Sequence, residues 1–271
     1  AGPRGTLQLL ADGVKFLQKE DISPNGADRW VFKVAPLVVL MSTLLLYVAL
    51  PTSMRLVVAD LDVGVFFVLA VSSLSVIGVL MAGWASANKY SLMGALRAAG
   101  QLIAYELPMV LAVVGVIIQA GTMSLNGIVF AQADGSIFGW GGIGFPYILT
   151  QFVGFFIFIA AVQAELTQPP FDMPVAESEI VSGYQVEYTG FRFLNFFLAE
   201  FATAFAFAAI AAVLFLGGWA VPWLPTSSDW YYVLGPIVLF AKVMVVAFII
   251  FWVRFTYPRF REDQLQSLAW K

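Results

Sequence analysis

Gly64-Val-Phe-Phe-Val-Leu-Ala-Val-Ser-Ser-Leu-Ser-Val-Ile-Gly-Val-Leu-Met-Ala-Gly-Trp84 contains no charged residue, and the charge-free run extends from Val63 to Asn88. Crossing the hydrocarbon of a bilayer takes about 20 such residues. Around this stretch the chain of 271 residues is 61% hydrophobic and 11% charged, with mean hydropathy +0.87. Soluble domains carry about 25% charged residues, so the sequence describes an all-α integral membrane protein. Six stretches qualify as transmembrane helices: Val34–Leu50, Gly64–Trp84, Gln101–Ala120, Tyr147–Glu165, Phe193–Leu216 and Val233–Val253. Pro108 falls inside the third and predicts a kink there, because it cannot donate to the carbonyl of Ala104.

Six spans place both ends of the chain on one side. Twelve of the fourteen bases, from Arg4 to Lys271, fall on that side; Arg55 alone lies opposite, and Lys242 lies inside the last span. The positive-inside bias therefore puts both ends on the cytoplasmic side of a cell membrane. Leu7, Leu10, Ala11, Val14 and Leu17 recur at helical spacing, with Gln8, Asp12, Lys15 and Lys19 on other faces. That pattern predicts an amphipathic helix lying in the membrane interface or against a soluble neighbour. The whole is expected to be one membrane domain, 1–271. It divides into an interfacial segment 1–32, a six-helix bundle 33–254 with an acidic cytoplasmic loop 166–192, and a cytoplasmic tail 255–271.

Between the fourth and fifth expected spans, Ala164–Phe201 holds Glu165, Asp172, Glu177, Glu179, Glu187 and Glu200 against one base, Arg192. Prolines 169, 170 and 174 forbid regular helix in the first part, and Ala176–Val181 is expected to be a short helix. Glu106 and Glu200 lie about two turns into their spans from the cytoplasmic end, and Glu165 ends its own. Ionisable side chains at membrane depth are costly and mark routes for protons, ions or polar ligands. Too few bases stand nearby to neutralise them, so the pattern points to a half-channel of acids opening on the cytoplasmic side. Tyr105 is placed to donate to a carboxylate or relay a proton. Lys242 is placed as a counter-ion to one of the acids or as the inner end of the path. Cysteine and histidine are absent, so thiolate and imidazole chemistry are excluded and proton transfer must run on carboxylates, Lys, Arg, Tyr and water.

Several pieces carry a resemblance: Leu9-Leu-Ala-Asp-Gly13, Lys19-Glu-Asp21, Asn88-Lys-Tyr-Ser-Leu92, Leu96-Arg97, Tyr105-Glu106, Pro170-Phe-Asp-Met-Pro174, Ala176-Glu-Ser-Glu179, Glu187-Tyr188, Phe197-Leu-Ala-Glu-Phe201, Pro258-Arg-Phe-Arg-Glu-Asp-Gln-Leu265 and Trp270-Lys271. In order and over essentially the whole chain, the sequence resembles the H-subunit of bacterial NADH-quinone oxidoreductase, the counterpart of subunit 1 of respiratory complex I. The resemblance implies a subunit that anchors the electron-transfer arm to the membrane arm. It implies a share in the quinone-reduction chamber and an acidic path coupling quinone reduction to proton translocation. The implied partners are other membrane-arm and peripheral-arm subunits, lipid and quinone, with no nucleic acid. The implied chain binds no flavin, iron–sulfur cluster or metal, so it takes part in a proton-translocating oxidoreductase without carrying a redox centre. By motif match, Glu106, Glu165, Asp172, Glu177, Glu179, Glu187 and Glu200 form the acidic path. Arg97, Phe171, Tyr184, Arg192 and the interfacial helix with Lys15 and Lys19 shape the quinone entrance and the arm contact.

The family usually has Arg where this chain has Gln168, often Glu where Val175 stands, and commonly His where Gln185 stands. These departures bear on contacts to the quinone head. The family also has one more span before Gly2 and one after Lys271, so the sequence reads as a piece of a longer protein. The nearest competing expectation is the homologous membrane anchor of a hydrogenase or a ferredoxin- or F420-linked proton-pumping complex. A secondary transporter would show inverted repeats, and none is visible.

Overall fold

A computed structural model describes residues 2–54, 56–135, 144–221, 230–261, 263–264 and 267. Arg55, Glu262, Leu265, Trp270 and Lys271, named above, lie outside the described residues, as does the side chain of Glu177. The described residues contain no strand. Their helices are α1 (Gln8–Gln18), α2 (Arg29–Val48), α3 (Gly64–Ala85), α4 (Lys89–Ala120), α5 (Leu125–Ala133), α6 (Phe152–Glu165), α7 (Glu177–Ile180), α8 (Gly190–Phe215) and α9 (Tyr231–Thr256), with short 3-10 turns at Pro3–Gly5 and Gly183–Gln185.

Local chemistry sets several of these boundaries. Asp28 begins α2 by accepting from the amides of Trp30 and Val31 at 3.2 and 3.5 Å. Asn88 begins α4 through the amide of Tyr90 at 2.9 Å, and Ser124 begins α5 through that of Gly127 at 3.2 Å. Each cap satisfies a helix N-terminal donor and stabilises by about 1 kcal/mol.

Five helices, α2, α3, α4, α8 and α9, are long and apolar enough to cross a membrane. Their outward faces carry large apolar side chains, among them Phe66 and Ile77 on α3, Leu107 and Ile118 on α4, and Phe240 and Trp252 on α9. Apolar faces of this extent belong against lipid or protein rather than water; the molecule is a membrane protein. The fourth expected span is shorter than its sequence suggests, with α6 only 14 residues long. Residues 147–151 before it form turns, closed by the Leu149 amide on the Pro146 carbonyl at 3.2 Å and the Gln151 amide on the Tyr147 carbonyl at 2.7 Å, and distant partners hold these turns. The amide of Tyr147 donates to Gln132 Oε1 at 3.2 Å and that of Ile148 to the Phe215 carbonyl at 3.0 Å. The third is longer: α4 starts at Lys89 rather than Gln101 and runs through Pro108 for 32 residues.

α8 is the hub. It packs against α2 on one side and α9 on the other, while α3 lies on α2, α4 on α3 and α6 on α4. From Ala206 to Phe215 every residue of α8 is buried. Small side chains permit the close approach of helices, as membrane bundles require: a Cβ on Gly83 of α3 would overlap Ala95 Cβ of α4. The residues around the starts of α2, α4 and α8 and the ends of α3, α6 and α9 gather at one end of the bundle, here the loop end. There α1 meets α8 through Phe16 and Phe193, ring centroids 5.7 Å apart, while Leu10, Val14 and Leu17 remain exposed. The tail after α9 folds back over the loop, the amide of Phe260 donating to the Pro170 carbonyl at 3.0 Å.

Candidate functional site

The proline-interrupted segment 164–174 cannot satisfy its carbonyls by helix, and side-chain amides do it instead. Gln101 Nε2 donates to the carbonyls of Ala164 at 2.8 Å and Phe171 at 2.7 Å. Gln163 Nε2 donates to that of Pro169 at 2.8 Å. Gln101, Gln163 and Gln168 are all buried, and each has an Oε1 that is buried without a hydrogen-bond partner. Irregular backbone at membrane depth is tolerated where protein covers it or it lines a polar cavity, and here both hold.

Two cavities meet at this segment. The larger, about 310 Å³, is lined by Thr167, Gln168, Asp172, Tyr184, Gln185, Glu200, Arg254 and Arg259. The smaller, about 60 Å³, lies deeper between α2, α3 and α8, among Ser42, Thr43, Ser72, Glu165, Thr167, Tyr184, Glu200 and Thr203. A water needs about 10–15 Å³ of such space and polar partners, so both can be hydrated. Thr167, Tyr184 and Glu200 line both. Glu200 Oε1 accepts from Gln168 Nε2 at 3.0 Å and from Arg254 at 3.2 Å. Thr43 and Thr203 share a 2.8 Å hydrogen bond beside it. Glu165 Oε2 is buried without a hydrogen-bond partner, and its carboxyl lies close enough to that of Glu106 for their charges to repel. Glu106, on α4, accepts a short hydrogen bond from Ser73 of α3. The acids thus form a row, Glu200, Glu165, Glu106, passing from α8 through α6 to α4.

The loop carboxylates are better paired than the sequence suggests. Asp172 meets Arg259 at 2.6 Å and Glu179 meets Arg97 at 2.6 Å. Glu187 accepts from Asn88 at 2.6 Å. The bases come from α4 and the tail. Arg192, the one base of the loop sequence, turns away to Asp21 at 2.8 Å and lies over the Phe32 ring at 5.2 Å. Of the acids read from the sequence, Glu200 and Glu165 line the smaller cavity and Glu200 and Asp172 the larger, with Glu106 beside Glu165.

Tyr105 does not donate to a carboxylate: its hydroxyl is buried without a partner and its ring packs on Phe171 at 5.4 Å. Phe171 in turn meets Phe260 at 5.8 Å. Lys242 is not a counter-ion to the acids. Its ammonium donates to the carbonyls of Gly218 at 2.8 Å and Ala220 at 3.1 Å, just past the far end of α8. Arg254, which does hold Glu200, is about three turns further along α9. Tyr184 lies in the walls of both cavities, and burial holds its phenol well above the usual tyrosine range, so it stays protonated. Lys15 and Lys19 are exposed on and just after α1, and Lys15 lies over the Phe16 ring at 5.6 Å. Arg97 stands with Glu179, outside the walls of both cavities. Ser73, Arg254 and Arg259 carry no signal in the sequence that marks them as part of this site, because their partners lie tens of residues away. Gln168 carries one, as a departure beside the Pro-Phe-Asp motif.

A family model described as NADH dehydrogenase matches residues 1–271. Over its full length the chain is 44% identical to the NADH-quinone oxidoreductase H-subunit of Dehalococcoides mccartyi (strain CBDB1), covering 71% of that protein. It is 45% identical to the H-subunit of Brevibacillus brevis, covering 76%, and 44% identical to that of Rhodospirillum rubrum, covering 77%. With whole-length identity at this level and an apolar helical bundle to match, the chain belongs to the family of NADH-quinone oxidoreductase H-subunits, membrane subunits of complex I.

Proposed function

We propose that the chain works in the membrane arm of a proton-translocating NADH-quinone oxidoreductase, supplying part of the quinone chamber and the acidic path that couples quinone reduction to proton movement. The observation that carries this reading is Glu200 standing in the walls of two cavities at once, one opening among Asp172, Arg254 and Arg259 and one reaching Glu165. A carboxyl placed so can take a proton from one cavity and release it to the other. Glu165 and Glu106 continue the row toward the α3–α4 face, where a neighbouring membrane subunit would receive the charge. Beyond Thr203 the α8 core is apolar and buried, which favours sideways transfer over passage straight through this chain.

In this reading α6 is a sixth, short span, and residues 1–271 form one membrane domain. The loop end, with both ends of the chain, faces the cytoplasm. Phe171 and Tyr184, with the segment around α1, Lys15, Lys19, Arg97 and Arg192, form the side toward the quinone and the peripheral arm. Asp172 stands at the mouth, and Glu179 and Glu187 of the same loop gather protons toward it; the resemblance gives Glu177 the same part. The partly exposed ion pairs of Asp172 and Glu179 are weak enough, at about 1 kcal/mol or less, to exchange. Lys242 stands apart as a cap on backbone carbonyls.

Replacing Glu200, Glu165 or Glu106 by Gln tests the proposal in inverted membrane vesicles driven by NADH. Quinone-linked acidification is expected to fall by about tenfold or more for each, while the complex still assembles. Acidification equal to that of the unmodified complex in all three variants would sink the reading.

A further inference from the structure

Glu200 uses its two oxygens differently. Both of its donors, the Gln168 amide at 3.0 Å and the Arg254 guanidinium at 3.2 Å, reach Oε1. Oε2 has no hydrogen bond among the described residues and is left to the two cavities that Glu200 lines. One oxygen is fixed and the other is open. The fixing is lopsided in charge as well, since one donor is cationic and the other neutral.

Gln168 is placed for this and little else. It is 1% exposed, its Nε2 is committed to Glu200, and its own Oε1 is buried without a partner. Burying an amide with one pole unsatisfied is destabilising. A leucine or methionine would fill the space without that cost, so the residue's polarity serves the bond it makes. Its position is rigid: the amide of Gln168 donates to the Gln163 carbonyl at 3.4 Å and that of Phe171 to the Gln168 carbonyl at 2.9 Å, and Pro169 and Pro170 follow it.

We infer that Gln168 is the positioning residue that fixes Glu200 as the proton-exchanging group between the cavities, holding one carboxyl oxygen with a neutral donor and leaving the other open. This rests on the proton-path reading above and adds to it what governs that path's central carboxyl. The proton adds at Oε2 and leaves from Oε2; Oε1 keeps its two donors in both states. The charge balance around Glu200 is close. Arg254 from α9 and Arg259 from the tail face it as cations, Asp172 from the loop and Glu165 from α6 as acids, and the Tyr184 phenol stands neutral. A second cation at position 168, where the family usually has Arg, would keep the carboxylate ionised to lower pH, and a residue with no donor would loosen its hold.

The test uses the assembled complex and reads the Glu200 carboxyl directly. The carboxylic C=O stretch that disappears in Glu200→Gln is titrated by difference infrared spectroscopy in Gln168→Arg, Gln168→Met and the unmodified complex. A hydrogen bond to a charged group contributes about 1.5–3 kcal/mol, which is one pH unit or more. In Gln168→Arg the band is expected to appear only at a pH lower by about one unit or more, because the added cation favours the ionised form. In Gln168→Met it is expected to shift the opposite way by a comparable amount, because a donor to the carboxylate is lost. The acid limb of the pH profile of quinone-coupled acidification moves with it.

Opposite shifts support the inference. Unchanged midpoints in both variants, or shifts of the same sign, overturn it, since a residue that merely fills the loop would alter assembly and leave the titration alone. The underlying reading fails separately: if Glu200→Gln leaves acidification intact while the band still shifts in opposite directions, the anchoring role stands and the proton path does not.

Discussion

At the scale of single residues, the acidic loop reaches its place through one glycine. Gly183 has φ +58°, and a Cβ there would collide with the Pro174 carbonyl oxygen. Across the same contact a Cβ on Gly94 of α4 would lie 2.5 Å from Gly183 Cα. The loop thus folds back on itself and against α4 with no room for a side chain, and Tyr184, the next residue, is delivered into the walls of both cavities. Gly121 separates the two demands made on Gly183. It also has positive φ, +70° at the end of α4, but a Cβ there would meet nothing within 4 Å. Gly121→Ala should therefore cost only the left-handed conformation, about 1–2 kcal/mol. Gly183→Ala adds a clash with rigid backbone and should cost more than that, lowering the unfolding midpoint of the solubilised complex further and reducing the amount of chain in membranes. Equal midpoints for the two variants would show that the loop relaxes around the added methyl.

At the scale of elements, the tail after α9 acts as a strap over the loop. Phe260 packs on Phe171 and its amide bonds Pro170, while Arg259 pairs with Asp172. The ion pair is partly exposed and worth about 1 kcal/mol or less, so the aromatic contact should dominate. Phe260→Ala is expected to raise hydrogen exchange of the Phe171 amide by roughly tenfold, a loss of about 1.4 kcal/mol of local stability; unchanged exchange would mean the strap is passive. Nothing in the sequence near residue 260 announces this contact. The ion pairs in the cavity walls, Arg254–Glu200 and Arg259–Asp172, join positions 54 and 87 residues apart, and Arg97–Glu179 on the same loop joins positions 82 apart. Hydropathy reads neighbours along the chain, which is why the long spans are legible in the sequence and the pairing is not. The same limit explains α6: its apolar run is long enough, but residues 147–151 form turns tied to Gln132 and Phe215, far away along the chain. Glu106, Glu165 and Glu200 are legible because a carboxyl in an apolar helix is conspicuous without any partner. Lys242 is equally conspicuous, yet its role depends on carbonyls that follow α8, and hydropathy cannot supply those.

At the scale of the whole molecule, the distribution of polarity along α8 and α9 divides the bundle in two. Near the loop end lie the acids, the hydroxyls of Thr43 and Thr203, and both cavities. From Ala206 to Phe215 the hub helix is dry, and past it Lys242 closes on the carbonyls of Gly218 and Ala220. A single wet end suits a chain that takes protons from one compartment and passes them sideways, provided the wet end faces the compartment that supplies them. In the proposed orientation it does: the sequence reading assigns twelve of the fourteen bases to that side, and such bias sets topology. The absence of cysteine from the sequence makes the point directly measurable, since any thiol introduced into these residues is unique among them. Gln18, the last residue of α1, and Gln264, past α9, are exposed at the wet end; Asp60, between α2 and α3, is exposed at the other. In sealed vesicles of known sidedness, Gln18→Cys and Gln264→Cys should react with a membrane-impermeant maleimide only when the cytoplasmic face is outward. Asp60→Cys should react only when it is inward. Labelling of Asp60→Cys from the cytoplasmic face would invert the molecule, and the acids would then draw on the wrong compartment.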